Sequence, residues 1–139
     1  MPDVLPSTRK LTLLGELNLI LIANVLVALV AVLHAFFLTL EMFLWDKPLG
    51  LKVFRNTPEK AEITRVLAAN QGLYNGFLAA GLIWGVLYQW PLSALHIKTF
   101  FLGCVIVAGI YGAYSVSRRI FVVQALPAIV ALALLWIFR

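Results

Sequence analysis

Four runs of apolar residues, 18–44, 66–88, 99–116 and 120–137, occupy most of this 139-residue chain. Each is close to the ~20 residues that an α-helix needs to cross a ~30 Å hydrocarbon core. In lipid every backbone N–H and C=O must be bonded within the protein, and a helix does this inside one segment. With 63% of residues hydrophobic and only 12% charged, no segment is left over for a water-soluble domain. The sequence therefore predicts an all-α, polytopic membrane protein: four transmembrane helices in an antiparallel bundle forming one domain over 18–139. A tail or interfacial lead-in precedes it over 1–17.

The first run is too long, and too far from any A-x-A-like site, for a removed signal peptide, and reads as a retained span. Between the first two runs, Pro48, Gly50 and Pro58 stand among five basic residues and Leu49, Leu51, Val53 and Phe54, a mixture suited to the headgroup layer. Thr57, Pro58 and Glu59 have the pattern of a helix start, so helix two begins before it enters the membrane. Gln89, Trp90 and Pro91 end that helix, and a loop carrying His96 and Lys98 leads to helix three. A tight connection around Ser117, Arg118 and Arg119 makes helices three and four antiparallel neighbours. Pro127 lies inside helix four, where it removes a donor and crowds the carbonyl of Val123, so a kink is expected there.

The net charge of +5 comes from basic residues beside helix ends, where they meet anionic lipid; nucleic acid is not the expected partner. Seven basic residues in loops one and three against Arg9, Lys10, Lys98 and Arg139 favour those loops in the cytoplasm. Arg9 and Lys10 before the first helix argue the opposite way. The expected location is the bacterial inner membrane, as a multi-pass protein. Cys104, the single cysteine, is read as a buried, inert thiol.

Polar side chains inside these runs are the best pointer to function, because lipid makes them costly. His34 and Glu41 lie seven residues apart, on one helix face and ~10.5 Å apart along the axis. Counting 1.5 Å per residue from the first loop puts Glu41 and Asn70 both about 5–6 Å deep, and His34 and Asn75 both about 14–15 Å deep. Gln71 and Tyr74 lie between those levels, and Tyr111 and Gln124 come in from the later helices. The opposite half of the bundle, built from runs such as 78–86 and 132–137, lacks ionisable groups. These positions predict a polar cup open at one membrane face and closed at the other by apolar packing.

A line of small residues on helix two, Ala68, Gly72, Gly76 and Ala80, continued by Gly81 and Gly85, allows close helix contact. So do Ala108, Gly109 and Gly112 on helix three. The same lines suit a homo-oligomer, and the amides can serve simply to bond helices together. Motifs for nucleotide hydrolysis, thiol redox chemistry, zinc proteolysis and serine hydrolysis are absent. His34 and His96 lie in different regions, so neither a bis-histidine haem nor a closed metal site is expected. No catalytic residue and no cofactor are assigned.

The stretch 34–45 (HAFFLTLEMFLW), Phe54 and the stretch 67–85 (LAANQGLYNGFLAAGLIWG) resemble a family of small bacterial four-span membrane proteins. That family is designated a domain of unknown function, number thirteen-oh-four. The segment 103–112 and the Pro127 helix extend the likeness to about 20–138. The resemblance implies the four-span fold and the importance of His34, Glu41, Asn70, Gln71, Tyr74 and Asn75, and supplies no activity.

The expected function is non-enzymatic: the cup binds or transports a small polar or cationic molecule, with Glu41 as counter-charge, His34 as a proton-sensitive anchor and the amides as neutral ligands. An interaction protein packing a membrane partner is the alternative. An enzyme acting on lipid or quinone headgroups through Glu41 and His34 is a third reading.

Overall fold

The computed structural model describes residues 7–138, and all regular structure in them is helical. Residues 1–6 of the expected tail and Arg139 lie outside the described residues. Five α-helices follow in order: α1 Ser7–Phe43, α2 Pro48–Phe54, α3 Pro58–Leu87, α4 Pro91–Ser115 and α5 Leu126–Ile137. A π-helical turn, Phe121–Ala125, leads into α5. Arg9–Phe43 and Pro91–Ser115 are long and apolar enough to cross a membrane, and Phe121–Ile137 is a shorter apolar helix. α3 has comparable length, but its charged first turns and the amides of Asn70, Gln71 and Asn75 dilute its apolar character.

Three helices begin with proline, Pro48, Pro58 and Pro91, whose fixed φ and missing N–H suit the first helical position. The Thr57 cap has the expected form: its hydroxyl accepts from the Lys60 N–H at 3.3 Å. Its neighbour Glu59, outside the apolar segment, is held below the usual carboxylate range by its own backbone N–H and by the Thr57 hydroxyl. Two expected boundaries move. α1 is already helical at Ser7, so what is described of the lead-in extends the first helix; residues 9–18 are exposed and the first buried residue is Ala23. His96 and Lys98 lie in the first turns of α4 rather than in a loop, because Pro91 starts the helix directly after Trp90.

α2 closes one end of the molecule. Gly50 lies against the Leu44 carbonyl, where a Cβ has no room, and Trp45 packs against Phe54 with ring centres 4.7 Å apart and planes tilted by 47°. The Trp45 indole N–H donates to Thr64 of α3 at 3.0 Å, and Asp46 lies 3.7 Å from Arg65. The first loop is thereby tied to the start of α3.

Neighbouring helices run in opposite directions. Leu38 of α1 faces Gly76 of α3 while Glu41 and Met42 face Gly72. Phe101 of α4 covers Gly81 and Lys98 covers Gly85. Trp136 of α5 donates to Thr99 at 2.9 Å, and Gly109 of α4 meets Ala125. The shared core consists of Ala23, Val27, Val30 and Ala31 of α1, Leu82, Leu95, Leu102 and Val105, and Ala128, Ala131 and Leu135 of α5. Four of these eleven side chains are alanine, which lets the helices approach closely. The ridge on α3 follows Ala68, Gly72, Asn75, Ala79 and Leu82, and Ala80 is exposed. Steps of four residues turn the row about 40° each on a 3.6-residue helix, so a strict i, i+4 line leaves the interface. Cys104 is half-buried.

The π turn is the local answer to Pro127. The Leu126 N–H reaches back five residues to the Phe121 carbonyl, which widens the backbone where the proline ring would crowd Val123 in a regular α-helix. The irregularity expected at Pro127 therefore appears in the preceding turn.

Candidate functional site

Glu41, in the last turn of α1, is 6% exposed. Its Oε2 accepts from Asn75 Nδ2 at 2.7 Å and its Oε1 from Gln71 Nε2 at 3.3 Å. Helical side chains lean toward their own N-terminus, so Glu41 leans inward from the loop while Asn75 leans back toward it. The two meet although their Cα atoms lie at different levels. Gly72 lets the backbones close: a Cβ there would lie 3.1 Å from Glu41 Cβ and from the Met42 nitrogen.

The carboxylate has neutral donors only. Among the described residues the ion pairs are those of Asp46 with Lys47 and Arg65, so no cation stands beside Glu41. The C-terminal end of a helix carries partial negative charge, which adds to the cost of a carboxylate there. A buried ion without an opposite charge is strongly disfavoured. The two amides hold the carboxylate oxygens in place, and a proton or an opposite charge would relieve the cost of the buried ion. Gln71 stays exposed, leaving that side of the carboxylate nearest the surface. A cavity of about 390 Å³ lies beyond it between the ends of α1 and α3, bordered by Met42, Trp45, Asp46 and Arg65; Glu41 does not line it.

The other predicted residues do not join this cluster. Asn70 and Tyr74, one turn apart, share the outward face of α3, and Tyr74 is 57% exposed against Phe77. The depth match of Glu41 with Asn70 is therefore replaced by Glu41 with Gln71 and Asn75. Tyr111 is exposed on α4, and Gln124 is half-buried in the π turn. His34 is fully buried, but its register partner on α3 is near Ala79, given that Leu38 faces Gly76. Its Nδ1 donates to the Val30 carbonyl at 2.8 Å, its ring meets Phe37 edge-on, and Nε2 has no hydrogen-bond partner. The expected rung of His34 with Asn75 is thus absent: no hydrogen bond joins them.

The expected apolar closure of the opposite end is also overturned. Lys98, 7% exposed, lies there with Nζ donating to Asn24 Oδ1 at 2.7 Å, and Asn24 Nδ2 donates to the Ile20 carbonyl at 3.1 Å. Lys98, expected in a loop, lies in α4, and Asn24 is an amide well inside the first apolar run, the same signal that Asn75 gives. Both residues line a cavity of about 640 Å³.

The family model described as Protein of unknown function (DUF1304) matches residues 28–136. An uncharacterized protein, YpaA, of Lactococcus lactis subsp. lactis (strain IL1403) is 30% identical over 114 residues, covering 80% of this chain and 94% of that protein. No solved structure matches the chain. The matched span 28–136 includes Glu41, Gln71 and Asn75. On this extent of similarity, the chain is a member of the DUF1304 family of proteins of unknown function.

Proposed function

We propose that the chain is a four-span protein of the bacterial cell membrane that binds, and in the course of transport releases, a small polar or cationic molecule at Glu41. Two helices of sufficient length and apolarity support the membrane reading. So does the exposure of many large apolar side chains, among them Leu29, Val32, Phe77, Trp84, Phe100 and Val107, each more than half exposed. Asn24 and Glu41 are separated by about 25 Å of helical rise, near the thickness of a hydrocarbon core. The polar groups of the two ends then lie close to the two membrane boundaries.

One observation carries the binding role: Glu41 is a buried carboxylate bonded to two amides and to no cation among the described residues. Its missing positive partner is supplied by a proton or by a bound cation, with Gln71 and Asn75 fixing the oxygens. Thermal-shift screening of the purified protein against small ammonium and guanidinium compounds, followed by proteoliposome uptake of the hits, tests this. Stabilisation and uptake that vanish in Glu41→Gln are expected. Equal responses in wild type and Glu41→Gln across the panel would overturn it.

A second reading, an assembly protein, is favoured by Asn70 and Tyr74 on the outer face of α3, where lipid offers no hydrogen-bond partner. A homo-oligomer held through that face would lose its association in Asn70→Leu, read by native mass spectrometry.

A further inference from the structure

We infer that the cavity around Lys98 is a second binding site, for an amphiphile with an anionic head, carboxylate or phosphate, on an apolar chain. Lys98 is built in rather than loosely placed. Its stem packs against Gly85, where a Cβ would lie 2.7 Å from Lys98 Cγ, so only glycine leaves room for it. Its Nζ is fixed by Asn24, whose own orientation is set by the bond from Nδ2 to the Ile20 carbonyl. An ammonium carries three donors and Asn24 takes one, so two remain for a ligand. Among the described residues no carboxylate lies within ion-pair distance of Lys98.

The surroundings specify the rest of the ligand. The cavity, about 640 Å³, is within the range that holds a small organic molecule. His96, Pro91 and Leu92 border it; Pro91 has no N–H, but the Leu92 N–H, in the first turn of α4, has no intrahelical acceptor and favours an anion. Ile20, Leu135 and Trp136 supply an apolar wall for a chain. The nearly complete burial of the cation excludes a freely hydrated anion as the better fit, because the apolar wall would then gain nothing from occupancy. The site is separate from Glu41, at the opposite end of the helices, and does not depend on the reading given to that residue.

Native mass spectrometry of the full chain in detergent, with palmitate, phosphatidylglycerol or phosphatidylcholine added one at a time, tests the inference. Wild type should retain palmitate or phosphatidylglycerol about tenfold better than phosphatidylcholine, and which of the two is retained identifies a free acid or a membrane lipid as the source. Lys98→Met should erase that preference, while Lys52→Met, which removes an exposed cation of α2, should keep it. Leu92→Trp fills the cavity mouth with Lys98 in place and should also lower retention, so a folding defect in Lys98→Met leaves the test intact. Equal retention of the neutral lipid by wild type, or unchanged preference in both Lys98→Met and Leu92→Trp, would overturn the inference.

Discussion

Asn75 reaches across from α3 to hold Glu41 Oε2 at 2.7 Å, while the residue that faces Glu41 backbone to backbone is Gly72. This offset decides which polar residues form the site. It also sets what each substitution will do.

Replacing Asn75 by Ala leaves one carboxylate oxygen without its shorter donor. Loss of about 1–2 kcal/mol of stability is expected, the range for interhelical polar contacts and charged hydrogen bonds. A double-mutant cycle with Glu41→Ala should return a coupling of about 0.6–2 kcal/mol, measured by reversible unfolding in bicelles. A coupling of zero would mean that the contact contributes nothing.

Gly72→Leu places a branched side chain where even a Cβ would lie 3.1 Å from Glu41 Cβ. The variant should lose about 1–3 kcal/mol by overpacking, and Gly103→Leu, with open space around its Cβ position, should lose far less. Melting temperatures of the two variants side by side give the answer.

At the opposite end, Asn24→Leu strips Lys98 of its hydrogen-bond acceptor and should destabilise by about 1–3 kcal/mol. Adding Lys98→Met to Asn24→Leu removes the unpaired cation and should recover most of that loss, because a buried polar pair replaced by apolar groups of similar size is often neutral. Failure of the second change to rescue the first would show that the pair is not the source of the cost.

In Pro127→Ala the backbone of helix 121–137 is free to return to α-helical bonding, since the ring no longer crowds Val123. Hydrogen exchange at residues 121–125 should slow by about tenfold, a figure at the lower end of what a ~3 kcal/mol proline penalty permits. Unchanged exchange would assign the π turn to packing at Gly109 instead.

The first turn of α3 should respond to acid through Glu59. Its carboxyl is held below the ordinary range in the folded chain, so its contribution is complete above the unfolded value and is lost as pH falls through the folded one. Amide exchange around Glu59 to Ala61, taken relative to the intrinsic rate at each pH, should therefore rise on acidification in the wild type. The rise should be absent in Glu59→Gln.

Much of this was legible in residue order. Thr57 and Pro58 marked the start of α3 because capping is local chemistry. Pro127 marked a break in the last helix because a missing N–H has consequences within one turn. Glu41, Gln71 and Asn75 stood out as polar groups in apolar runs. Depth counting nevertheless paired Glu41 with Asn70, since it compared Cα levels and ignored the direction in which helical side chains lean. The first loop, read as lying along the headgroup layer, contains the short helix α2, which packs against the end of α1.

The sequence by itself determined that the chain is helical, where α3 starts, and that polar groups interrupt apolar surfaces, because those properties follow from local hydrogen bonding and side-chain chemistry. Only the tertiary structure decided the register. Gly72 and Gly85 set how closely neighbouring helices approach, and that approach turns Asn75 toward Glu41, leaves Asn70 and Tyr74 outside, and encloses Lys98 with Asn24. Register depends on contacts between segments far apart in the chain, which no local pattern encodes.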